Sequence, residues 1–108
     1  STASQVINPA TEEVLRTVER LDVDAVDDAV ARAKAAQKRW AAAAPADRAA
    51  ALRSFAATVG AHVDELAALE VANSGHPIGA AEWEAGHVRD VLQFYAAAPE
   101  RLSGKQIP

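Results

Sequence analysis

From Asp22 onward the apolar positions of this chain recur every three or four residues, the spacing of one face of an α-helix. Val26, Ala29, Val30, Ala33, Gln37 and Trp40 fall on the first such stripe. Asp22 stands just ahead of it, where a carboxylate can accept from free helix N–H groups. Asp24, Asp27 and Asp28 put negative charge at the positive end of the helix dipole, and Lys34, Lys38 and Arg39 gather at the other end. Together these signals predict a helix from Val23 to about Ala42. Pro45 opens a second helix, at a position with no N–H to lose. Its stripe is Leu52, Phe55, Ala56, Val59 and Val63. Gly60 weakens it and Asp64 can cap a fresh start, so a break or kink is expected between Gly60 and Asp64. A third helix carries Leu66, Leu69 and Glu70 and ends at Asn73-Ser74-Gly75, with Gly75 suited to a left-handed terminal position. Pro77 starts a fourth segment, on which Glu84, Val88, Val91, Leu92 and Tyr95 share a face. Pro99 ends or kinks it, and Leu102 and Ser103-Gly104 lead into an extended end.

The start of the chain reads differently. Val6-Ile7 and the stretch from Glu13 to Val18 are rich in β-branched residues and flank Asn8-Pro9-Ala10-Thr11, good chemistry for a type I turn. A hairpin-like pair of strands is expected between about Val6 and Val18. Two strands alone are marginal in water, so another element must cover them. The fold class is therefore mainly α, with a short N-terminal β-hairpin-like element.

Composition changes this picture in one respect. Half of the 108 residues are hydrophobic, but large ones are scarce: two Trp, one Tyr, two Phe and no Met. The core should be thin, with Trp40, Trp83, Phe55, Phe94 and Tyr95 as its anchors. Net charge is −4 and the eleven basic residues are scattered, which argues against nucleic acid as a partner. No apolar run approaches a membrane span and no signal-peptide pattern opens the chain. A cytoplasmic location is expected.

Candidate chemistry is sparse. With no cysteine, the segment has neither a thiolate metal site nor a cysteine nucleophile. His62, His76 and His87 match no zinc spacing. Glu84 and His87 make one Glu-x-x-His pair, whereas a di-iron bundle needs two such pairs and two further carboxylates, so both are expected as partly exposed helix residues. Ser54, Ser74 and Ser103 lack a base at readable spacing, and the glycines form no phosphate loop.

The order of short motifs is more specific than any one of them. Val6-Ile7-Asn8-Pro9-Ala10-Thr11, Asp22-Val23-Asp24-Ala25-Val26 with Ala29-Val30, and Trp40 resemble the opening of aldehyde dehydrogenases. So do Pro45-Ala46-Asp47-Arg48, Asp64-Glu65-Leu66-Ala67, Asn73-Ser74-Gly75-His76-Pro77, Asp90-Val91-Leu92 with Phe94-Tyr95, and Gly104 to Pro108. The resemblance covers the chain from Val6 onward. It departs from the family at Glu12 or Glu13, where members usually carry glycine, at His76, where they carry lysine, and at Pro99.

The resemblance implies that residues 1–108 are the N-terminal helical part of the nucleotide-binding domain of a larger α/β enzyme, cut at both ends. That enzyme would oxidise an aldehyde to a carboxylic acid with NAD or NADP. The acylating cysteine, general base and nucleotide-binding glycines would lie beyond the segment, so no catalytic or cofactor-binding residue is expected within it. A structural monovalent cation is implied at backbone oxygens near Val6 and Ile7, with Glu84 supplying an acidic side chain. The expected partners are the rest of the dehydrogenase chain and further copies in a homo-oligomer. The alternatives are a stand-alone helical protein-interaction module and a small regulatory or pseudo-enzyme fragment that pairs with a full-length subunit.

Overall fold

The computed structural model describes residues 3–108. Strands β1 (Ala3–Ile7) and β2 (Val14–Glu19) lead into helices α1 (Val23–Ala42), α2 (Pro45–Ala61), α3 (Val63–Ser74), α4 (Ile78–Ala96) and the single turn α5 (Ala98–Arg101). The mainly α reading with one hairpin holds.

The hairpin is antiparallel. Val6 pairs with Arg16 but Ile7 pairs with Val14, so Leu15 is the extra residue of a bulge. The turn is wider than a simple type I turn. Asn8 Oδ1 accepts from the N–H of Ala10 at 2.9 Å, and the Asn8 N–H donates to the Glu13 carbonyl at 2.9 Å. Glu12 closes the turn at φ 62°, in the left-handed region. Glycine adopts this φ at little cost, and Glu12 is one of the two positions, with Glu13, where the resemblance leads one to expect glycine. Leu15 and Arg16 of β2 share an open cleft with Leu66, Leu69 and Asn73 of α3.

Each helix begins and ends for a local reason. Asp22 Oδ1 accepts from the Ala25 N–H at 2.8 Å, which makes it the cap of α1. Pro45 is the first residue of α2. The expected break falls at His62, whose φ of −122° ends α2 and starts α3. Asp64 is not the cap there: it sits inside the first turn of α3, where its charge still suits the dipole. Gly75 ends α3 at φ 75° and lets the chain reverse into α4. Beyond Ala96 the chain re-forms one turn that contains Pro99. Arg101 ties this turn back by donating from Nη2 to the Phe94 carbonyl at 3.3 Å, with its guanidinium 4.9 Å from the Phe94 ring centre.

The core lies where α4 crosses α2 and α3. Its fully enclosed residues are alanines: Ala49, Ala56 and Ala67 have no exposed surface, and Ala81, Ala85, Ala96 and Val59 complete it. Small residues let the helix axes approach closely, which leaves no room for larger ones at the seam. The expectation of an aromatic core is therefore corrected. Trp40, Phe55, Trp83, Phe94 and Tyr95 are all exposed, Trp83 by 66% and Phe55 by 56%. Helix α1 buries none of its residues, so its stripe from Val26 to Trp40 is an uncovered face. The radius of gyration is 18.9 Å, against about 13 Å for a closed domain of this length.

Candidate functional site

The turn between α3 and α4 is where polar side chains meet. Glu70 and Ser74 lie one helical turn apart near the end of α3. Ser74 Oγ is 2.9 Å from both the Glu70 carbonyl and Glu70 Oε1. Gly75 then reverses the chain, so His76 emerges beside the last turn of α3. Helix α4 folds back along α3, and its second turn brings Glu84 level with His76. His76 Nε2 is 3.2 Å from Glu84 Oε1. Glu70, His76 and Glu84 thus converge, each with a ligand-type atom within 4.8 Å of the others. Glu70 and His76 are half-buried and Glu84 is exposed.

Beside this cluster runs an apolar groove of about 450 Å³. Phe55 and Val59 of α2, Leu66 of α3 and Ala81, Ala85 and Val88 of α4 line it, with Glu70 and Glu84 also in its wall. On the far side of α4, His87 does not join Glu84. It stacks on Trp83, one helical turn back, with ring centres 4.8 Å apart. Both members of the Glu-x-x-His pair are exposed, as expected.

The residues expected around a monovalent cation fall on two elements. Val6 and Ile7 end β1, Val6 half-buried and Ile7 exposed, while Glu84 lies on α4 opposite His76. Sequence reading paired Glu84 with His87 and left Glu70 and His76 apart. His76 lies between α3 and α4 and belongs to neither helix, so no helical period relates the three residues. The left-handed Gly75 was the available signal, because a reversal there places the end of one helix against the start of the next.

Among the described residues the strands form only an antiparallel hairpin. There is no strand, glycine loop and helix in the order that cradles a dinucleotide, so these residues do not by themselves fit NAD(P). No described helix is long and apolar enough to cross a membrane.

Comparison with known proteins agrees with this architecture. The aldehyde dehydrogenase family model matches residues 1–108. A chloroplastic aminoaldehyde dehydrogenase of Arabidopsis thaliana is 39% identical over 106 residues, which cover 94% of this chain and 21% of the relative. A peroxisomal aminoaldehyde dehydrogenase of Pisum sativum gives the same identity and coverage. Among solved structures, an NAD-dependent benzaldehyde dehydrogenase from Corynebacterium glutamicum superposes with a TM-score of 0.93 at 28% identity, over 98% of this chain and 23% of that one. Betaine aldehyde dehydrogenase from Staphylococcus aureus, in complex with NAD+, shares the fold with a TM-score of 0.91 at 22% identity, over 98% of this chain and 22% of that one. The chain spans about a fifth of the length of the curated relatives it matches. On the match over its whole length, this chain belongs to the aldehyde dehydrogenase family.

Proposed function

We propose that residues 1–108 are the N-terminal helical part of the nucleotide-binding domain of an enzyme that oxidises an aldehyde to a carboxylic acid with NAD(P)+. The observation that carries this reading is the family match over the full chain, joined to a coverage of only 21% of a relative. In such an enzyme the nicotinamide cofactor accepts a hydride. This chain has no cysteine to form the thioester. Its contribution is structural: the α2–α4 seam makes a rigid plate, and the hairpin and the outer helix faces are presented to the rest of the polypeptide.

The surface supports that role. The accessible area is 8537 Å², whereas a self-contained monomer of 11.3 kDa exposes about 5,700 Å². The difference is the size of a large permanent interface. The rest of the dehydrogenase chain is the partner this reading supplies, and further copies in a homo-oligomer share the same faces. A monovalent cation held by carbonyl oxygens of Val6 and Ile7 and by Glu84 belongs to the reading, as does residence in the cytoplasm. Two plant relatives are named for the chloroplast and the peroxisome, so imaging of the tagged full-length protein tests the compartment.

Activity is tested by incubating the 108-residue chain and the full-length protein with several aldehydes and each nicotinamide cofactor. The expected result is reduced cofactor from the full-length protein and none above blank from the chain alone. Turnover by the repurified chain would refute the assignment of a purely structural role. A full-length protein that reduces neither cofactor would refute the enzyme and favour an interaction module.

A further inference from the structure

The convergence of Glu70, His76 and Glu84 has a chemistry of its own, independent of aldehyde oxidation. We propose that these three side chains bind a divalent first-row transition-metal ion, with zinc the best match, as a clamp across the α3–α4 turn.

Geometry makes the first point. Around a tetrahedral zinc with bonds of about 2.0–2.1 Å, neighbouring ligand atoms stand about 3.3 Å apart. His76 Nε2 and Glu84 Oε1 already stand 3.2 Å apart, the edge of such a tetrahedron. All three ligand atoms lie within 4.8 Å, so the longest edge closes by roughly 1.5 Å, within reach of one glutamate side-chain rotation. A water would fill the fourth position.

The donor set makes the second point. One imidazole nitrogen with two carboxylates suits zinc and its neighbours, and two carboxylates balance the charge of a divalent ion. Among the described residues neither Glu70 nor Glu84 has a lysine or arginine within ion-pair distance. Glu70 also accepts a hydrogen bond from outside the cluster: Ser74 Oγ lies 2.9 Å from its Oε1. Ligating carboxylates are characteristically held by such an outer hydrogen bond. The cluster is open enough for an ion to enter, since the His76 and Glu84 side chains are 36% and 50% exposed.

Glu84 is the residue this site shares with the expected monovalent cation. The two uses separate by donor type. Sodium and potassium favour oxygen donors and do not displace the imidazole, so either ion competes with the transition metal for Glu84 alone.

The test is a cobalt(II) titration of the chain at neutral pH in a buffer free of sodium and potassium, followed by visible absorption, then by displacement with zinc. One ion per chain is expected, with the intense bands of four- or five-coordinate cobalt. His76→Gln and Glu84→Gln should each weaken binding at least tenfold. His62→Gln and His87→Gln should leave it unchanged, and zinc should shift the ring resonances of His76 alone. The chain has no thiol to supply a competing site. A loss below tenfold in His76→Gln or Glu84→Gln, or an equal loss in His62→Gln, overturns the proposal.

Discussion

Gly75 joins two parts of the molecule, and replacing it by alanine separates the forces that hold them. Its φ of 75° is in the left-handed region, where a Cβ costs about 1–2 kcal/mol. Removing a glycine restricts the unfolded chain and returns about 0.4–1 kcal/mol. The backbone terms therefore leave a net loss of about 1 kcal/mol. A second cost comes from the hairpin. A Cβ at Gly75 would stand 3.1 Å from Pro9 Cγ, closer than ordinary carbon contact, against a closed ring with no free rotor. Displacing it by the few tenths of an ångström required adds roughly 0.5–1 kcal/mol, at or below the about 1–3 kcal/mol typical of overpacking a closed core. Gly75→Ala should thus destabilise by about 1.5–2 kcal/mol. The assay is urea unfolding followed by far-UV circular dichroism, read as a lower midpoint at unchanged slope. Pro9→Ala removes Cγ and leaves Cβ at 3.9 Å, an ordinary contact. In that background Gly75→Ala should lose only the backbone part, giving a coupling of about 0.5–1 kcal/mol. Equal losses in both backgrounds would refute the contact between hairpin and helix turn. No loss in either would refute the left-handed backbone at Gly75.

Three further outcomes follow from the same structure. Glu12→Gly should stabilise the hairpin by about 0.5–1 kcal/mol, by relieving a Cβ in the left-handed region, and Glu12→Val should destabilise it; urea midpoints of the two variants check the sign. Ala56→Leu should cost about 1–3 kcal/mol because the side chain at the α2–α4 seam has no free volume, while Ala57→Leu, exposed on the same helix, should change the thermal midpoint little. The 108-residue chain should self-associate through its uncovered apolar faces; sedimentation equilibrium that returns monomer mass across a wide concentration range, with no dye-accessible apolar surface, would contradict this.

Local signals carried most of the fold. Asp22 and the run of charges along α1 predicted the two ends of that helix, Gly75 the left-handed terminus of α3, and Gly60 to Asp64 the break that falls at His62. These are single-residue backbone and dipole effects, so they survive without tertiary information. What failed was the choice of which residues lie inside. A helical stripe shows that a face is apolar but not what covers it, and Leu52, Phe55, Ala56 and Val59 share one broad face. In the structure Ala56 and Val59 turn to the seam while Phe55 does not. The cluster at Glu70, His76 and Glu84 was illegible for another reason. Its members are joined by a chain reversal, and no periodic template spans a turn. The family was legible because ordered motifs accumulate specificity that no single motif has.

The exposed aromatics have two physical explanations, and the alanine seam decides between them. Loose packing would leave large side chains outside because the helices had not closed. But Ala49, Ala56 and Ala67 are completely enclosed, so the helices have closed. The large side chains are outside because the same helices carry a small-residue face and a large-residue face, and the small one is turned inward. A self-sufficient domain gains by the reverse arrangement, since a buried leucine or phenylalanine removes far more apolar area from water than an alanine does. The area above that of a closed monomer is roughly 2,800 Å². If little more than half is apolar, covering it is worth on the order of 40 kcal/mol before ordering costs, several times the net stability of a typical domain. Selection that kept large residues on the outer faces therefore acted on a covered state. The seam sets the spacing of the helices, and on the proposed function the outer faces are those the rest of the polypeptide would cover.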